Sequence, residues 1–345
     1  MVSCQKEPDS PNHPSPLPYL RGVDLSFQPA LQAAGVQYVD SNQQPFSADQ
    51  LFLQNRWNVV RLRLWVNPQE GHSGFQEVRA YAQQLKAKGA LIWLALHYAD
   101  HWADPGQQSI PDAWQSLDFP TLQDTVAAYT HRVVSGIAPD VIQIGNEINA
   151  GMLWPMGALD SMDHFISLLR TALESAQTAR PEAKRMIHLA GADAATQWMF
   201  TQMEAAELAY DWVGISYYPW WHGKDLDQLQ NQLLQIHQIT QKPIGIAETA
   251  YPFSLQWNDW THNVVGLADQ LIAEIPATPQ GQKQFLLQID QICSQLPQSW
   301  GWAYWAPDWV ALNDTQSVGG SSWENLALFN FENQALPAVY LPPAL

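Results

Sequence analysis

Apolar runs of strand length alternate with segments of helical periodicity along almost the whole chain. Val23-Asp24-Leu25 opens the series. Further runs lie at 59–66 (Val-Val-Arg-Leu-Arg-Leu-Trp-Val), 90–97, 141–145, 186–191, 212–218, 243–247 and 300–305, which makes eight candidate strands. Between them, Val78, Tyr81, Ala82 and Leu85 recur at i, i+3, i+4 and i+7, with Gly89 as a stop signal. Phe165, Leu168, Leu169, Ala172 and Leu173 repeat the pattern ahead of Pro181. Strands that are apolar at nearly every position are buried on both faces, so the pattern predicts a parallel sheet covered by helices. Eight such units predict a closed α/β structure, a (β/α)8 TIM barrel that forms one catalytic domain over 19–345. An open doubly wound sheet is the alternative. No Gly-rich phosphate loop follows the first run, which argues against nucleotide binding, and no internal repeat is visible.

Residues 1–18 break the pattern: they are polar and Pro-rich, and read as a flexible tether. Cys4 precedes Gln-Lys-Glu-Pro-Asp, as at the start of a mature bacterial lipoprotein, so a lipid anchor at Cys4 and an extracellular or cell-surface location are expected. A tail whose Cys4 does nothing is the other reading. The second cysteine is Cys293, so there is neither a disulfide framework nor a zinc-ligand cluster. No apolar run is long enough to span a membrane.

Charge narrows the partners. The 345 residues carry a formal net charge of −17, from 33 acidic and 16 basic residues, which argues against nucleic acid and anionic membrane surfaces. A strongly acidic polymer is an awkward ligand as well, so a neutral one fits better. The 17 Trp have two readings: core and interface filling, or the lining of a cleft in which sugar faces stack on rings.

Catalytic groups of such barrels lie at the C-terminal ends of the strands. The fourth run ends in Gly145-Asn146-Glu147 and the seventh in Ala247-Glu248-Thr249. A carboxylate directly after an apolar strand is costly to bury without a reason. Alone, either Glu has a bland reading as half of a structural salt bridge. Together, on strands four and seven, they face each other across the barrel mouth, as the acid and the nucleophile of glycoside hydrolysis must. Arg61 and Arg63 lie two apart on one strand and share its inner face, with Leu62 and Leu64 toward the helices. Arg63, nearer the catalytic end, is expected to pair with Glu248, and Arg61 to pair structurally with Asp24. His97 and Tyr217 end the third and sixth runs, either as donors to sugar hydroxyls or as supports behind them.

From about residue 21 to 331 the chain resembles glycoside hydrolase family 53, the endo-β-1,4-galactanases of clan A. The resemblance rests on Arg21-Gly22-Val23-Asp24-Leu25-Ser26, Val60-Arg61-Leu62-Arg63-Leu64-Trp65-Val66-Asn67-Pro68 and His97-Tyr98-Ala99-Asp100-His101-Trp102-Ala103-Asp104-Pro105-Gly106. It continues through Gly145-Asn146-Glu147-Ile148-Asn149, Ser216-Tyr217-Tyr218-Pro219-Trp220-Trp221-His222-Gly223, Glu248-Thr249-Ala250-Tyr251-Pro252-Phe253 and Tyr304-Trp305-Ala306-Pro307-Asp308-Trp309. It implies a retaining enzyme with Glu147 as general acid/base and Glu248 as nucleophile. The implied substrate is the neutral β-1,4-galactan of pectin or type I arabinogalactan. Arg63, Trp65, His97, Asn146, Tyr217, Trp305 and Trp309 are the expected substrate contacts. No cofactor is required, and the expected state is a monomer. Two departures stand out. Ala306 occupies the place of the family's Glu. In the stretch where some members bind calcium, Asp259 and Asn263 match the pattern, but Trp257 and Thr261 replace two ligands, so no calcium site is expected. Two other readings stay open, a clan A hydrolase of another β-1,4-glycan such as mannan and a non-catalytic surface glycan-binding protein; a phosphate-binding barrel is disfavoured, because its one Gly-rich candidate, Gly319-Gly320, sits too far past the eighth run.

Overall fold

A computed structural model of the chain describes residues 17–312, 318 and 320–343. Cys4, Gly319 and nearly all of the tether lie outside the described residues. The barrel strands are β1 (Leu20–Asp24), β2 (Val59–Leu64), β3 (Leu91–Leu96), β4 (Val141–Ile144), β5 (Lys184–Ala190), β6 (Trp212–Ser216), β7 (Ile244–Glu248) and β8 (Gly301–Tyr304). Each pairs in parallel with its sequence neighbours, and β8 closes on β1, so the sheet has no free edge. All eight expected runs are strands. The first begins earlier than its apolar pattern suggests, because Arg21 interrupts that pattern yet is itself buried.

Helices follow the strands on the outside. Both segments of helical periodicity are helices, Phe75–Ala87 and Met162–Ala179, with the recurring apolar positions buried. Others run over Phe119–Ile137, Ala194–Ala205, Leu226–Thr240 and Pro279–Gln295. Asp118, Asp193 and Asp225 start three of these by accepting a backbone N–H three residues on, at 2.9–3.0 Å.

Strand alternation sorts the core. Leu62, Leu64, Ile92, Leu94 and Leu96 belong to the layer beneath the helices. Val59, Trp93, Val141, Met186, Trp212 and Ala303 pack together inside the barrel. Above that apolar floor the inward positions turn polar: Asp24, Arg61, Gln143, His188 and Ser216 are all buried. One irregularity matters. The β6–β7 register shifts between Ile215 and Ser216, so that Ser216 stands opposite Glu248 instead of Ala247. Strict alternation after the inward Ala247 would turn Glu248 out; the shift re-aims it.

Barrel closure is clamped at β1 and β8 by one buried acid. Asp290, on Pro279–Gln295, accepts from Arg21 Nη2 at 2.8 Å, from Trp302 Nε1 at 2.6 Å and from the Tyr19 hydroxyl at 3.2 Å. Arg21 also donates to the Pro342 carbonyl at 2.7 Å, which ties in the C-terminal segment. Asp290→Ala leaves a buried guanidinium without its counter-ion and is expected to destabilise the fold by roughly 3–5 kcal/mol. Thermal or urea unfolding checks this; an unchanged midpoint would show that the clamp contributes nothing.

Candidate active site

Glu147 and Glu248 line one cavity of about 190 Å3 at the C-terminal mouth of the barrel, with Arg63, His97, Trp102, Asn146, Tyr218 and Trp305 among its other walls. The turn after β4 places the first Glu. Gly145 takes φ +75°, and a Cβ there would meet the Ile148 side chain at 2.5 Å, so the turn needs glycine. Glu147 itself sits at φ 47°, a conformation that a non-glycine residue holds only when its surroundings enforce it. They do so here: Gln108 Nε2 donates to the Asn146 carbonyl at 2.8 Å, and Asn146 Nδ2 donates to the Ala103 carbonyl at 2.9 Å.

Arg61 holds the second Glu. Its Nη2 lies 2.7 Å from Glu248 Oε1 and 2.7 Å from Asn146 Oδ1, its Nη1 lies 2.5 Å from Asp24 Oδ2, and its Nε donates to Gln143 Oε1 at 3.1 Å. The expected pairing of Arg63 with Glu248 is therefore corrected: Arg61 bridges Asp24 and Glu248 at once. A guanidinium ends well beyond its own Cα, so the arginine one layer deeper reaches the carboxylates at the rim. Arg63 instead reaches past them. Its Nε donates to Ser73 Oγ at 2.8 Å, and its guanidinium lies 4.2 Å from the ring centres of Phe27 and Trp102 and 4.7 Å from that of Trp65.

The two carboxyls differ in their surroundings. Glu147 is pushed up to about 8, first by burial and then by the Glu248 charge; the Ser216 hydroxyl and Arg61 oppose the rise, and Asp104 adds to it. Burial raises Glu248 as well, but Arg61 opposes that directly, and Tyr218 donates a hydrogen bond to Oε2 at 3.0 Å. Glu248 has the direct ion pair and Glu147 does not, so Glu248 is the group that ionises first and Glu147 the one that keeps its proton. Burial, followed by the Arg61 and Arg63 charges, holds His97 well below the usual histidine range, so it enters the cavity neutral.

The other expected contacts separate. Arg63, His97, Asn146 and Trp305 line the cavity. Tyr217 does not: its hydroxyl donates to the Gly223 carbonyl at 2.8 Å, and its ring packs toward Phe285 on the helix layer. Tyr218 takes the place expected of it, and alternation onward from the inward Ser216 was the signal for that. Trp65 lines a separate hollow of about 670 Å3 over the β2 and β3 loops, its ring edge-on to Trp102 at 5.3 Å. Trp309 stacks on Phe27 at 4.1 Å and supports Trp305 edge-on at 6.1 Å. Trp102, Trp221 and Trp323 complete the aromatic walls, and sequence reasoning did not single them out. Ala306 is fully buried at φ 50° and presents only a methyl group.

The loop after β7 is stitched by a carboxylate. Glu324 accepts from the backbone N–H of Asn258 at 2.6 Å and of Asp259 at 3.1 Å, and from Asn263 Nδ2 at 3.4 Å. The two oxygens of Asp259 accept the N–H groups of Thr261 and Ser321, at 2.6 and 3.1 Å. A calcium ion needs oxygens free to face it. Both oxygens of Asp259 already accept backbone donors, which leaves Asn263 Oδ1, buried and without a partner among the described residues, as the one side-chain oxygen of the pair not so engaged.

The family model for glycosyl hydrolase family 53 matches residues 20–341. A protein of Cellvibrio japonicus named arabinogalactan endo-beta-1,4-galactanase is 32% identical, over 93% of this chain and 89% of its own. A Niallia circulans protein, named only by its position in the bgaB 5' region, is 33% identical over 92% of each chain. The solved family 53 catalytic domain of Ignisphaera aggregans superposes with a TM-score of 0.89 at 32% identity, over 94% of this chain and 96% of its own. With a full-length family match and two glutamates opening on one aromatic cavity, the chain belongs to glycosyl hydrolase family 53 and is a glycoside hydrolase.

Proposed function

We propose that the chain cleaves internal β-1,4-galactosidic bonds of galactan or type I arabinogalactan with retention of configuration. Glu147 gives its proton to the glycosidic oxygen while Glu248 attacks the anomeric carbon; water, deprotonated by Glu147, then displaces Glu248. The observation that carries this reading is the unequal environment of the pair, with Glu248 ion-paired to Arg61 and Glu147 raised by burial and by its neighbour's charge. The Trp102, Trp221, Trp305 and Trp323 rings suit the apolar faces of sugar rings. A net charge of −17 favours a neutral polymer, and galactan is the polymer named for the Cellvibrio relative. Arg63, His97, Asn146 and Tyr218 are the polar contacts to substrate in this scheme. The protein acts as a monomer outside the cell or at its surface, where the polymer is. Cys4 is its lipid-attachment site, which incorporation of labelled palmitate in the native host would read out.

Reducing-sugar release from linear β-1,4-galactan, beside β-mannan and carboxymethyl-cellulose, tests the substrate. Release from mannan alone would move the enzyme to another clan A specificity, and release from none would leave a glycan-binding barrel. Proton NMR of the first product anomer tests the stereochemistry: the β anomer is expected, and the α anomer would overturn the double displacement. Glu248→Ala is expected to lower turnover by at least about a thousandfold with folding retained. Activity is expected to fall as pH rises through the pKa of Glu147, near 8, because the acid loses its proton there. Glu147→Gln abolishes that basic limb; a limb that persists in this variant would remove Glu147 from the acid role. Catalysis and stability are also expected to be independent of metal, so EDTA leaves the melting midpoint within the scatter of repeated scans. A clear fall would show that the loop around Asp259 and Asn263 holds a cation.

A further inference from the structure

Behind Glu147 runs a chain of buried polar groups that the displacement chemistry leaves unused. His188, on β5, is fully buried, and its Nε2 lies 2.8 Å from Ser216 Oγ on β6. Ser216 stands at the end of β6 opposite Glu248, and its hydroxyl acts on the Glu147 carboxyl as a donor that lowers its proton affinity. On the other side of the ring, His188 Nδ1 lies 2.9 Å from Gln143 Nε2 and 3.2 Å from Asn146 Oδ1. The Gln143 amide has its orientation fixed from outside the chain, because Oε1 receives Arg61 Nε and Trp93 Nε1, both at 3.1 Å. Both of those groups are donors only, so the oxygen must face them and the NH2 must face His188. The oxygen of Asn146 already takes Arg61 Nη2 at 2.7 Å. The two hydrogens of Gln143 Nε2 have three acceptors in reach, the Gly145 carbonyl at 2.9 Å, His188 Nδ1 at 2.9 Å and Asn146 Oδ1 at 3.0 Å; the last is the longest and is already served by Arg61, which assigns Nδ1 as an acceptor. The proton of the neutral ring therefore sits on Nε2 and points at Ser216.

We propose that His188 is a positioning residue: it donates from Nε2 to Ser216 and so obliges the Ser216 hydroxyl to donate to Glu147. The relay runs in one direction, from Gln143 through His188 and Ser216 to the carboxyl. It rests on the reading of Glu147 as the acid/base. Its consequence is local. One carboxyl oxygen always receives the serine hydrogen, so the transferable proton is left on the other oxygen, where a substrate oxygen takes it. When Glu147 is ionised, the same donor stabilises the anion. A serine free to rotate could also accept from the carboxylic acid, which would trap the proton on the wrong side.

Several charges act on the same groups and set the baseline against which the relay is read. Glu147 faces Glu248 on β7, Arg61 on β2 and Asp104 after β3, and it also bears on the Tyr218 hydroxyl after β6. His188 faces Arg61 and His97, and burial with those two holds it neutral.

The test compares Ser216→Ala, His188→Leu and His188→Gln with wild type in the pH profile of kcat on galactan. Ser216→Ala removes the donor to the Glu147 anion, so its basic limb is expected to move up by about half to one pH unit; His188→Leu leaves that hydroxyl in place but no longer held or polarised by the ring, so its limb is expected to move up by a smaller amount. The double variant should move no further than Ser216→Ala, because His188 acts on Glu147 only through that hydroxyl. His188→Gln keeps a donor toward Ser216 and should restore most of the shift. A His188→Leu variant with lower kcat or melting midpoint but an unmoved limb would reduce His188 to a packing role and overturn the proposal. Nitrogen-15 NMR of wild-type His188 reads the geometry without any variant: a neutral ring protonated on Nε2 is expected, and a ring protonated on Nδ1 would overturn it. A wild type inactive on every β-glycan would sink the two-carboxylate reading, while the NMR result would still decide the relay.

Discussion

A single buried cation sets the terms for the barrel mouth. Arg61 gives hydrogen bonds to Asp24, Glu248, Asn146 and Gln143, which come from three strands or their ends, β1, β7 and β4. Burial alone would drive the charge off, but the Glu248 and Asp24 carboxylates outweigh it and keep the guanidinium protonated. The charge balance then constrains the rest. Arg61 and Arg63 together offset Asp24 and Glu248, and Arg63 stays charged at neutral pH even though burial brings it down to about 10. A third carboxylate has no remaining counter-ion, so Glu147 holds its proton. The difference between the two glutamates thus comes from where one arginine can reach.

The aromatic richness follows from the same economy of charge. Among the described residues Arg63 has one side-chain hydrogen bond, to Ser73, and its Nη1 has no partner atom. Ring faces make up part of the deficit: Phe27, Trp65 and Trp102 surround the guanidinium. Phe27 in turn stacks on Trp309, and Trp309 supports Trp305 at the cavity wall. A positive charge held by rings thus fixes the rings that would stack on sugar. Trp65 and Trp309 do their work one step behind the wall, although both were expected on it.

Period and polarity made most of the fold legible. Eight apolar runs and two clear helical stripes were enough to identify the barrel, and the polar residues ending runs four and seven marked Glu147 and Glu248. Distance along a strand misled at Arg61 and Arg63, because the reach of a side chain counts as well as the height of its Cα. At Tyr217 and Tyr218 nearness to the end of the run does not choose between the two rings; counting inward positions from Gly214 and Ser216 selects the second tyrosine. Glu248 is the harder case. It follows the inward Ala247, so alternation alone turns it away, and only the register shift opposite Ser216 brings it in. No pattern within β7 encodes that shift.

The double displacement proposed for the pair asks Glu147 to be an acid first and a base second, and the source of its raised pKa supplies the change. After burial, the largest upward push on Glu147 is the charge of Glu248. Once Glu248 has bonded to the anomeric carbon it carries no charge, and Arg61 keeps Asp24 as its remaining partner acid. The repulsion on Glu147 then disappears while the attraction of Arg61 persists, so its affinity for a proton drops at the stage where water must be deprotonated. Hydrolysis of the ester restores the Glu248 charge and, with it, the raised affinity that the next proton donation needs. The geometry that separates the two carboxyls at rest also drives their exchange of roles, provided that they sit close enough to feel each other and that only one of them holds the arginine.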